Sequence, residues 1–442
     1  MRSPPGPRGV PGLGSLNAYR SDPKAFLLDL ARYGDVVSFW IGGEHLVQVT
    51  HPEYIEQVLL EQHRVMHKDA LYKRLKNVLG EGLVTSEGAL WKRQRRLAAK
   101  PFGKKQVDSY AAEMVRLTRD WCTQRADGDV IEVNEEMMGI TQLIVLRCLF
   151  GTDFMGDTKR AGECLHLYMN DYMSEIFGLR RLLPRWVPTT GRLASDRYSK
   201  EMDQIVLTMI AAKRAGDTRD ADDVLSRLIA AAEDGGVEMS DRQLRDEAVT
   251  FFAAGHETTA LTLTYAFYLL SRHPEARERL VSEVSEVLAG APATAALARR
   301  LPWTRAVVQE SMRCYPPVWA IGREPQEDIQ IGPYDIPAGT QVLVSQWVMH
   351  HDPRWFPDPW DFAPQRWIDG LEARLPRFAY FPFGGGPRVC IGNHFGMLEA
   401  IVMLATVAQH WTLESTSDEP LPLNPSVTLR PGRPIHLRLG RL

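Results

Sequence analysis

The sequence predicts a mainly α-helical protein with a minor β component, an α+β fold. Two observations support this class. From about residue 52 to residue 288, charged and apolar residues alternate at helical spacing and strand signals are sparse. Short apolar segments bounded by glycine and proline, which are typical of strands, lie before and after this region. We therefore expect a helical body with small sheets.

The N-terminal region predicts an irregular segment followed by a β-hairpin. Residues 1–16 are rich in proline and glycine and carry no periodic pattern. The segments DVVSFWI and LVQVT then flank GGEH, which indicates two strands joined by a turn at the glycines.

The region from Ser240 to His273 predicts one long buried helix. Ser240 and Gln243 have the spacing of a capping box, and Pro274 follows the expected end. The middle, AVTFFAAGHETTALTLTYAFYLL, is apolar on nearly every side, which favours burial over amphipathic packing. At about 1.5 Å per residue the helix would be roughly 50 Å long.

Shorter elements follow this helix. LPWTRAVVQESMRCYPP predicts a helix that stops at Pro316 and Pro317. DIQIG, PYDIPAGT and QVLVSQWV predict strands and turns, and the aromatic passage DPRWFPDPWDFAPQRW fits neither element. NHFGMLEAIVMLATVAQHW predicts a last apolar helix. Because no repeat or linker divides the chain, we expect a single domain over residues 1–442.

Composition excludes several classes of protein. A net charge of −3 gives no reason to expect nucleic acid or an anionic membrane as partner. We find no signal peptide and no run of about 18 apolar residues that would form a membrane anchor. The five cysteines are scattered without a C-x-x-C pair, which argues against disulfides and a cysteine-rich zinc site. A cytoplasmic location fits best.

The stretch FPFGGGPRVCIG, residues 381–392, surrounds Cys390 with glycines. A nucleophilic cysteine needs a nearby base and a redox cysteine usually a second thiol, and the loop provides neither. The glycines would let a flat group approach the sulfur, and the entry of a helix stabilises a thiolate. These features suit a cysteine bound to haem iron, with Arg388 placed to bind a carboxylate of the macrocycle. The alternative is an inert buried cysteine.

The same loop resembles the haem-thiolate loop of the cytochrome P450 monooxygenases. The pattern F-x-x-G-x-R-x-C-x-G is met by Phe383, Gly386, Arg388, Cys390 and Gly392. The resemblance extends over nearly the whole chain. It implies the cytochrome P450 fold with a long central helix over the haem. It also implies haem b with Cys390 as axial thiolate, and no flavin or NAD(P)H bound by this chain.

The resemblance also implies a buried ionic triad of Glu310, Arg313 and Arg366. The first two residues form E-x-x-R on one helix face, and the third belongs to F-x-P-x-R-W. In isolation, E-x-x-R would be read as a surface pair. In the order found here it resembles the family triad, which would hold the irregular segment that backs the haem.

AGHETT on the long helix is the candidate catalytic motif. Glu257 and Thr258 form an acid–alcohol pair that could deliver protons during oxygen cleavage, with Thr259 as a second hydroxyl. Small Ala254 and Gly255 would let the helix pass close to the haem, and His256 would pack away from it. In the alternative, Thr258 only bonds back to a carbonyl of its own helix.

By resemblance, the partners of the haem propionates are Trp91, Arg95, Arg323 and Arg388. The first two lie in a basic helix, whose charges would normally form a solvated face. Both roles can hold, because the outward residues could dock an acidic electron-transfer protein. These outward residues are Lys92, Arg93, Arg96, Lys100 and Lys104.

The family's substrates are lipophilic, and the pocket should lie on the side of the long helix. Its predicted lining is Phe251, Ala254 and Thr258, with Val318, Trp319, Ala320 and Ile321 after the Pro-Pro stop. The segment between Met66 and Val84 and the stretch FGLRRLLPRWVP would add a lid. Each apolar residue could equally be ordinary core.

The resemblance thus implies a monooxygenase that inserts one atom of O₂ into a terpene, fatty acid, steroid or macrolide, by hydroxylation or epoxidation, as in secondary metabolism. Electrons would come from a separate ferredoxin and ferredoxin reductase. Two alternatives remain: an isomerase or peroxide-driven enzyme, which usually lacks the acid–alcohol pair, and a haem-based binding protein.

Overall fold

The computed structural model describes residues 2–151, 189–215, 223–233 and 239–442. The helices in these ranges are α1 (Leu16–Ser21), α2 (Pro23–Asp29), α3 (Pro52–Glu56), α4 (Ala70–Leu79), α5 (Gly88–Ala99), α6 (Lys104–Thr123), α7 (Val133–Phe150), α8 (Thr190–Ala215), α9 (Val224–Glu233), α10 (Asp241–Arg272), α11 (Pro274–Leu288), α12 (Ala295–Ala298), α13 (Pro302–Cys314), α14 (Gln346–His350), α15 (Gln365–Ile368), α16 (Leu371–Arg374) and α17 (Asn393–Val407).

The strands are β1 (Val36–Ile41), β2 (Glu44–Val49), β3 (Met66–Lys68), β4 (Val130–Glu132), β5 (Ile321–Pro325), β6 (Ile329–Ile331), β7 (Tyr334–Ile336), β8 (Gln341–Val344), β9 (Trp411–Ser415), β10 (Leu423–Pro425), β11 (Leu429–Pro431) and β12 (His436–Arg441). A π-helical turn spans Gln57–Glu61, and 3₁₀ turns span Leu30–Tyr33 and Gly386–Arg388. The α+β class predicted from the sequence is confirmed.

The chain forms two compact units. The first contains Met1–Leu75, Gln309–Cys390 and Thr428–Arg430. The second contains Lys76–Val308, Ile391–Val427 and Pro431–Leu442. A single domain over residues 1–442 stays a prediction.

A mixed five-stranded sheet organises the first unit, in the order β1-β2-β8-β5-β3. The predicted hairpin is present: β1 and β2 pair antiparallel, and Gly42 in the turn has φ of 61°. β2 and β8 are parallel, and the remaining pairs are antiparallel. Fully buried Val47 and Val342 and nearly buried Ile321 belong to the apolar core of this unit.

The long predicted helix organises the second unit as α10. It has 32 residues, and the Ser240 hydroxyl accepts a hydrogen bond from Gln243 N at 3.3 Å, which is one half of the expected capping box. The Gln243 side-chain oxygen accepts from Arg93. The helix ends before His273, as Pro274 predicts.

Two pairs of packed helices belong to this unit, one of which includes α10. α10 packs on α7, where Thr141 Oγ1 donates to the carbonyl of His256 at 3.1 Å. α17 packs on α6 through Tyr110 and Phe395, whose rings lie 5.9 Å apart. A three-stranded antiparallel sheet, β4-β12-β9, completes the described part of the unit.

Two predicted boundaries differ from the structure. The last apolar helix ends at Val407, and Trp411 already begins strand β9, because it pairs with β12. In QVLVSQWV only the first four residues form a strand. Ser345 then caps helix α14 by accepting from Val348 N, which the alternating pattern conceals.

None of the helices in the described ranges combines the length and apolarity that crossing a bilayer requires. The predicted lid stretch FGLRRLLPRWVP, residues 177–188, lies outside the described residues.

Candidate active site

The cysteine loop is a tight turn held by its own backbone. Cys390 N donates to the carbonyl of Phe383 at 2.9 Å, and Val389 N donates to that of Gly386 at 3.1 Å. Gly384 and Gly386 have φ of 69° and 63°. Other residues rarely adopt this left-handed conformation, so these two positions favour glycine.

Two of the glycines allow the loop to pack closely against other residues of the first unit rather than to face an open space. A Cβ on Gly386 would lie 1.9 Å from the carbonyl oxygen of Leu59, and one on Gly385 would lie 2.1 Å from the ring of Phe378. At Gly384 no atom lies within 4 Å of such a Cβ. Of these three, only Gly384 fits the expected role of leaving room for a flat group.

Cys390 differs from the other described cysteines because it is exposed, whereas Cys122, Cys148 and Cys314 are buried. Burial raises the pKa of the Cys122 and Cys314 thiols to about 12, which keeps them protonated and poor ligands. Cys164 lies outside the described residues. Cys390 is therefore not a buried cysteine.

The structure brings the predicted triad together in the first unit. Glu310 and Arg313 are fully buried and form a two-point ion pair, with both N–O distances 2.9 Å. Arg366 Nε lies 3.1 Å from Glu310 Oε1, and Trp367 Nε1 donates to Oε2 at 2.8 Å. The carboxylate thus has a partner for each oxygen.

The Arg313 guanidinium also holds the irregular aromatic segment in place. It donates to the carbonyls of His350 at 3.0 Å, Pro359 at 2.6 Å and Asp361 at 2.8 Å. The His350 carbonyl ends helix α14, and those of Pro359 and Asp361 lie in irregular chain, where no regular ladder supplies backbone donors. The triad is therefore the hydrogen-bonding centre of residues 350–366.

On α10 the acid–alcohol pair occupies two environments. Glu257 is nearly buried, with 8% of its surface exposed, and Thr258 is half-buried. The Thr258 hydroxyl donates to the carbonyl of Ala254 at 3.0 Å, which is the back-bond considered as the alternative above. The hydroxyl oxygen keeps its acceptor lone pairs, so the back-bond orients the group without using them.

Other residues of the motif face inside the helical unit. A Cβ on Gly255 would lie 3.0 Å from Val145 of α7, so this glycine allows close helix packing. His256 is buried, and its Nδ1 lies 2.6 Å from the carbonyl of Phe252, as a packed histidine would. Thr259 is buried and faces α17, where a Cβ on Gly396 would lie 3.5 Å from its hydroxyl. Thr258 and Thr259 therefore point in different directions.

Sequence reasoning missed a buried carboxyl beside Thr259. Glu399 on α17 is fully buried. Burial raises the pKa of the Glu399 carboxyl well above its usual range, and the Thr259 hydroxyl offsets only part of this rise. The available signal was a single acidic residue inside the apolar run FGMLEAIVML.

The predicted propionate partners lie on separate elements. Trp91 and Arg95 are half-buried on α5, in the second unit. Of the five predicted outward residues on and after α5, Arg93 is engaged by Gln243 at 2.7 Å and does not belong to an exposed patch. The other four are exposed: Lys92, Arg96, Lys100 and Lys104.

In the first unit Arg388 is half-buried and Arg323 is buried. Arg323 Nη1 donates to Gly322 O at 2.8 Å and faces two groups that the sequence did not suggest, Asp69 and Tyr72. Burial raises the pKa of the Asp69 carboxyl, and the Arg323 charge opposes that rise. Arg323 therefore has an internal carboxyl neighbour in addition to any external anion.

The predicted pocket residues divide by burial. Phe251 is buried with its ring 5.7 Å from that of Phe102, and Ala254 is exposed. Trp319 and Ile321 are buried, and Ile321 belongs to the apolar core of the first unit. Val318 and Ala320 are half-buried. Val318 and Ala320 in the first unit, and Ala254 and Thr258 in the second, thus each keep some exposed surface.

Known proteins resemble the chain over almost its full length. The family model described as "Cytochrome P450" matches residues 4–438. "Cyclooctatin synthase" from Streptomyces melanosporofaciens is 34% identical over 96% of this chain and 93% of its own. "Cyclooctat-9-en-7-ol 5-monooxygenase" from the same organism is 33% identical over 92% of this chain and 88% of its own.

"Pentalenene oxygenase" from Streptomyces avermitilis is 32% identical over 93% of this chain and 92% of its own. The crystal structure of the cytochrome P450DA haem domain has the same fold, with a TM-score of 0.88, 24% identity and coverage of 100% of this chain and 98% of that one. The cysteine loop and these matches lead to one conclusion: the chain belongs to the cytochrome P450 family.

Proposed function

We propose that this enzyme hydroxylates or epoxidises a terpene, with Cys390 as the iron ligand. The observation that carries the reaction is the exposed Cys390 thiol in a glycine-shaped loop. Membership of the family makes the chain a monooxygenase that transfers one oxygen atom of O₂ to a lipophilic molecule and uses electrons from redox partners.

The family carries a haem with a cysteine thiolate ligand, and residues of this chain fit that group. The fit rests on the exposed thiol, the open side of Gly384 and the half-buried Arg388 guanidinium. When bound, the haem supplies the redox chemistry, because a thiolate ligand donates electron density that favours O–O cleavage.

The other residues of the loop shape it or bind the haem edge. The Phe383 carbonyl accepts a hydrogen bond from the Cys390 N–H, and Gly386 allows the close approach to Leu59. Gly392 precedes α17 as its N-cap residue. We assign the haem carboxylates to Arg388, Arg323, Arg95 and the indole of Trp91, on the strength of the family pattern and their cationic or N–H donor groups.

Protons are handled by Glu257 and Thr258. The back-bond to Ala254 uses the hydrogen of the Thr258 hydroxyl and leaves its lone pairs able to accept a hydrogen bond from an incoming donor. Glu257, one residue earlier, is the nearest carboxyl in the sequence and can resupply the proton. The packing of Thr259 against α17 favours Thr258 over Thr259 for this role.

The substrate class is supported by the relatives. Two carry names that denote oxidation of cyclooctat-9-en-7-ol and pentalenene. Of the four predicted lining residues that keep exposed surface, Ala254, Val318 and Ala320 are apolar and Thr258 carries a hydroxyl, which suits a terpene skeleton. Because these relatives are named as oxygenases, we favour oxygen insertion over isomerisation, peroxide-driven chemistry or simple haem binding.

A binding titration tests the substrate class. The haem-loaded ferric protein is titrated with polycyclic terpene alcohols and hydrocarbons, and separately with fatty acids, steroids and macrolides, while the Soret band is followed. We expect a saturable shift towards high spin with terpenes. A shift with steroids or macrolides and none with terpenes would overturn the proposed class.

We assign electron delivery to a ferredoxin with its reductase. Lys92, Arg96, Lys100 and Lys104 are exposed on and just after α5 and together form a basic patch suited to an acidic partner. This patch is local, because the whole chain has a net charge of −3. A cytoplasmic location, and the expectation that this chain binds no flavin or NAD(P)H, stay predictions.

A further inference from the structure

His350 lies between the ionic triad and the cysteine loop in the first unit. It is the last residue of α14 and is fully buried. Its ring is enclosed by aromatic neighbours, with centroid distances of 5.0 Å to Tyr380, 5.6 Å to Phe381 and 6.3 Å to Phe356. A buried imidazole with such neighbours has one orientation, so its nitrogen atoms have fixed directions.

Both the backbone and the side chain of His350 make directed bonds. Its carbonyl accepts from Arg313 Nη1 at 3.0 Å, which joins it to the triad. Its Nε2 accepts from the backbone N–H of Phe381 at 3.1 Å. Because an N–H donates to Nε2, this nitrogen carries no hydrogen and the neutral ring is protonated at Nδ1.

The acceptor role is compatible with the surroundings. Burial lowers the pKa of His350 well below its usual value, and the charges of His351 and Arg313 act in the same direction. The backbone of Met312 opposes this but does not reverse it. The ring therefore stays neutral near pH 7, and Nε2 keeps its lone pair for Phe381.

Phe381 is the first residue of the glycine-rich segment. Its carbonyl accepts from Gly384 N at 2.9 Å, which closes the turn before the positive-φ glycine. Two residues later, the carbonyl of Phe383 accepts a hydrogen bond from Cys390 N. Hydrogen bonds and the short covalent segments between them thus connect Glu310, through Arg313 and His350, to the backbone that carries Cys390.

We propose that His350 is a positioning residue for the haem-thiolate loop: its Nε2 fixes the start of the loop and so sets the direction of the Cys390 thiol. This inference rests on the proposed ligand role of Cys390. Arg313 of the triad binds the His350 carbonyl, and the His350 side chain binds the first residue of the loop. Loss of the acceptor frees the loop while the triad remains paired.

Two substitutions of similar size separate the hydrogen bond from the packing. In His350→Gln the side-chain oxygen can still accept from Phe381 N, whereas His350→Met fills the space without a comparable acceptor. His351→Met is the matched control. His351 is a neighbouring buried histidine that stacks on Trp360 and bonds to the Trp347 carbonyl, not to the loop.

The haem-loaded variants are compared by amide hydrogen exchange at Phe381 and by the fraction of thiolate-type ferrous–carbon monoxide complex. We expect His350→Met to speed exchange at Phe381 about tenfold or more, as loss of a buried hydrogen bond predicts. We also expect it to lower the thiolate-type fraction. His350→Gln should recover most of both values, and His351→Met should change neither.

Unchanged exchange and an unchanged thiolate-type fraction in His350→Met would overturn the inference. Fast exchange of the Phe381 amide in the unaltered enzyme would also overturn it, even if no variant folds. A failure of the proposed function has a different signature, because the unaltered enzyme itself would then lack the thiolate-type spectrum.

Discussion

At the scale of single residues, the Thr258 hydroxyl can combine a structural hydrogen bond within its helix with the proposed proton relay. The hydroxyl donates its hydrogen to the Ala254 carbonyl, and this bond does not use the oxygen lone pairs. A sequence motif cannot distinguish a structural back-bond from a proton relay, since the same residue serves both. The two roles differ in what a substitution does to turnover.

Thr258→Ala should therefore retain haem and substrate binding but release reducing equivalents as hydrogen peroxide. A positioned proton donor or acceptor contributes about 10²–10⁴-fold, so product formed per electron should fall at least about tenfold. Thr262→Ala is the control, because Thr262 makes the same kind of back-bond, to the Thr258 carbonyl at 2.9 Å, one turn later. Equal coupling in the two variants would contradict the relay.

Glu399 gives a pH prediction. An unfolded glutamate has a pKa near 4.3, and burial raises the folded value. Its contribution to stability is therefore complete at pH below about 4.3 and is lost as the pH rises through the raised folded pKa. Glu399→Gln removes the titrating group at nearly the same shape.

The free energy of unfolding of Glu399→Gln should consequently rise, relative to the unaltered protein, as the pH is raised from about 5 to 9. The gain is about 1.4 kcal/mol for each pKa unit of the shift. Urea unfolding at several pH values measures it, with exposed Glu286→Gln as control. A difference that does not depend on pH would show that Glu399 is ionised in the fold.

Glu310 is the residue whose loss should cost most stability. Glu310→Gln leaves Arg313 buried with an unpaired charge, and breaking a buried ion pair costs about 3–5 kcal/mol. Denaturant unfolding measures this loss. The exposed pair of Arg433 and Glu419 is the control, because Glu419→Gln should cost less than about 1 kcal/mol. A loss equally small in Glu310→Gln would contradict the structural role of the triad.

At the scale of elements, the long helix was predictable, but which of its faces pack against which neighbours was not. A capping serine, a following proline and an apolar pattern on all sides define α10 from the sequence alone. The apolar pattern predicts an end of α17 at Trp411, four residues beyond the observed end at Val407, because apolar residues near a boundary suit a helix or a strand and Trp411 begins β9. Gly255 packs against α7 and Thr259 packs against α17. No local sequence pattern reveals which helix each of these residues contacts.

The same limit applies to the loop between α4 and α5, which is clamped onto α10. Asp246 accepts from Glu81 N at 2.8 Å, and Glu247 accepts from Leu83 N at 3.1 Å. Arg245 joins this clamp to α8, since its Nη1 lies 2.9 Å from Asp246 and its Nε lies 2.6 Å from Asp203. The sequence predicted a lid in this region but not what fixes it.

Arg245→Met should loosen that loop. Without the guanidinium, Asp246 is a buried carboxylate that has lost its cation, so its hold on the loop weakens. We expect amide exchange at Glu81 to rise about tenfold. Lys213→Met is the matched control, because it breaks a buried pair on α8 whose partner is Asp223. The same exchange rate at Glu81 in both variants would contradict the clamp.

At the scale of the whole molecule, one of the changes from the first compact unit to the second follows Cys390 directly along the chain. Cys390 ends the last long segment of the first unit, and Ile391 begins the return to the second. The ligand residue was predictable because its motif is continuous in the sequence. The contacts of His350, Asp69 and Glu399 were not predictable, because they involve residues that are distant in the sequence: Phe381, Arg323 and Thr259 respectively.

The central claim, that Cys390 is the thiolate ligand of a haem, is tested most directly by the ferrous–carbon monoxide difference spectrum of the purified, haem-loaded protein. We expect the long-wavelength Soret band of a thiolate complex. It should be lost in Cys390→Ser and kept in Cys122→Ser, where a buried cysteine is replaced. A thiolate-type band that persists in Cys390→Ser would contradict the account.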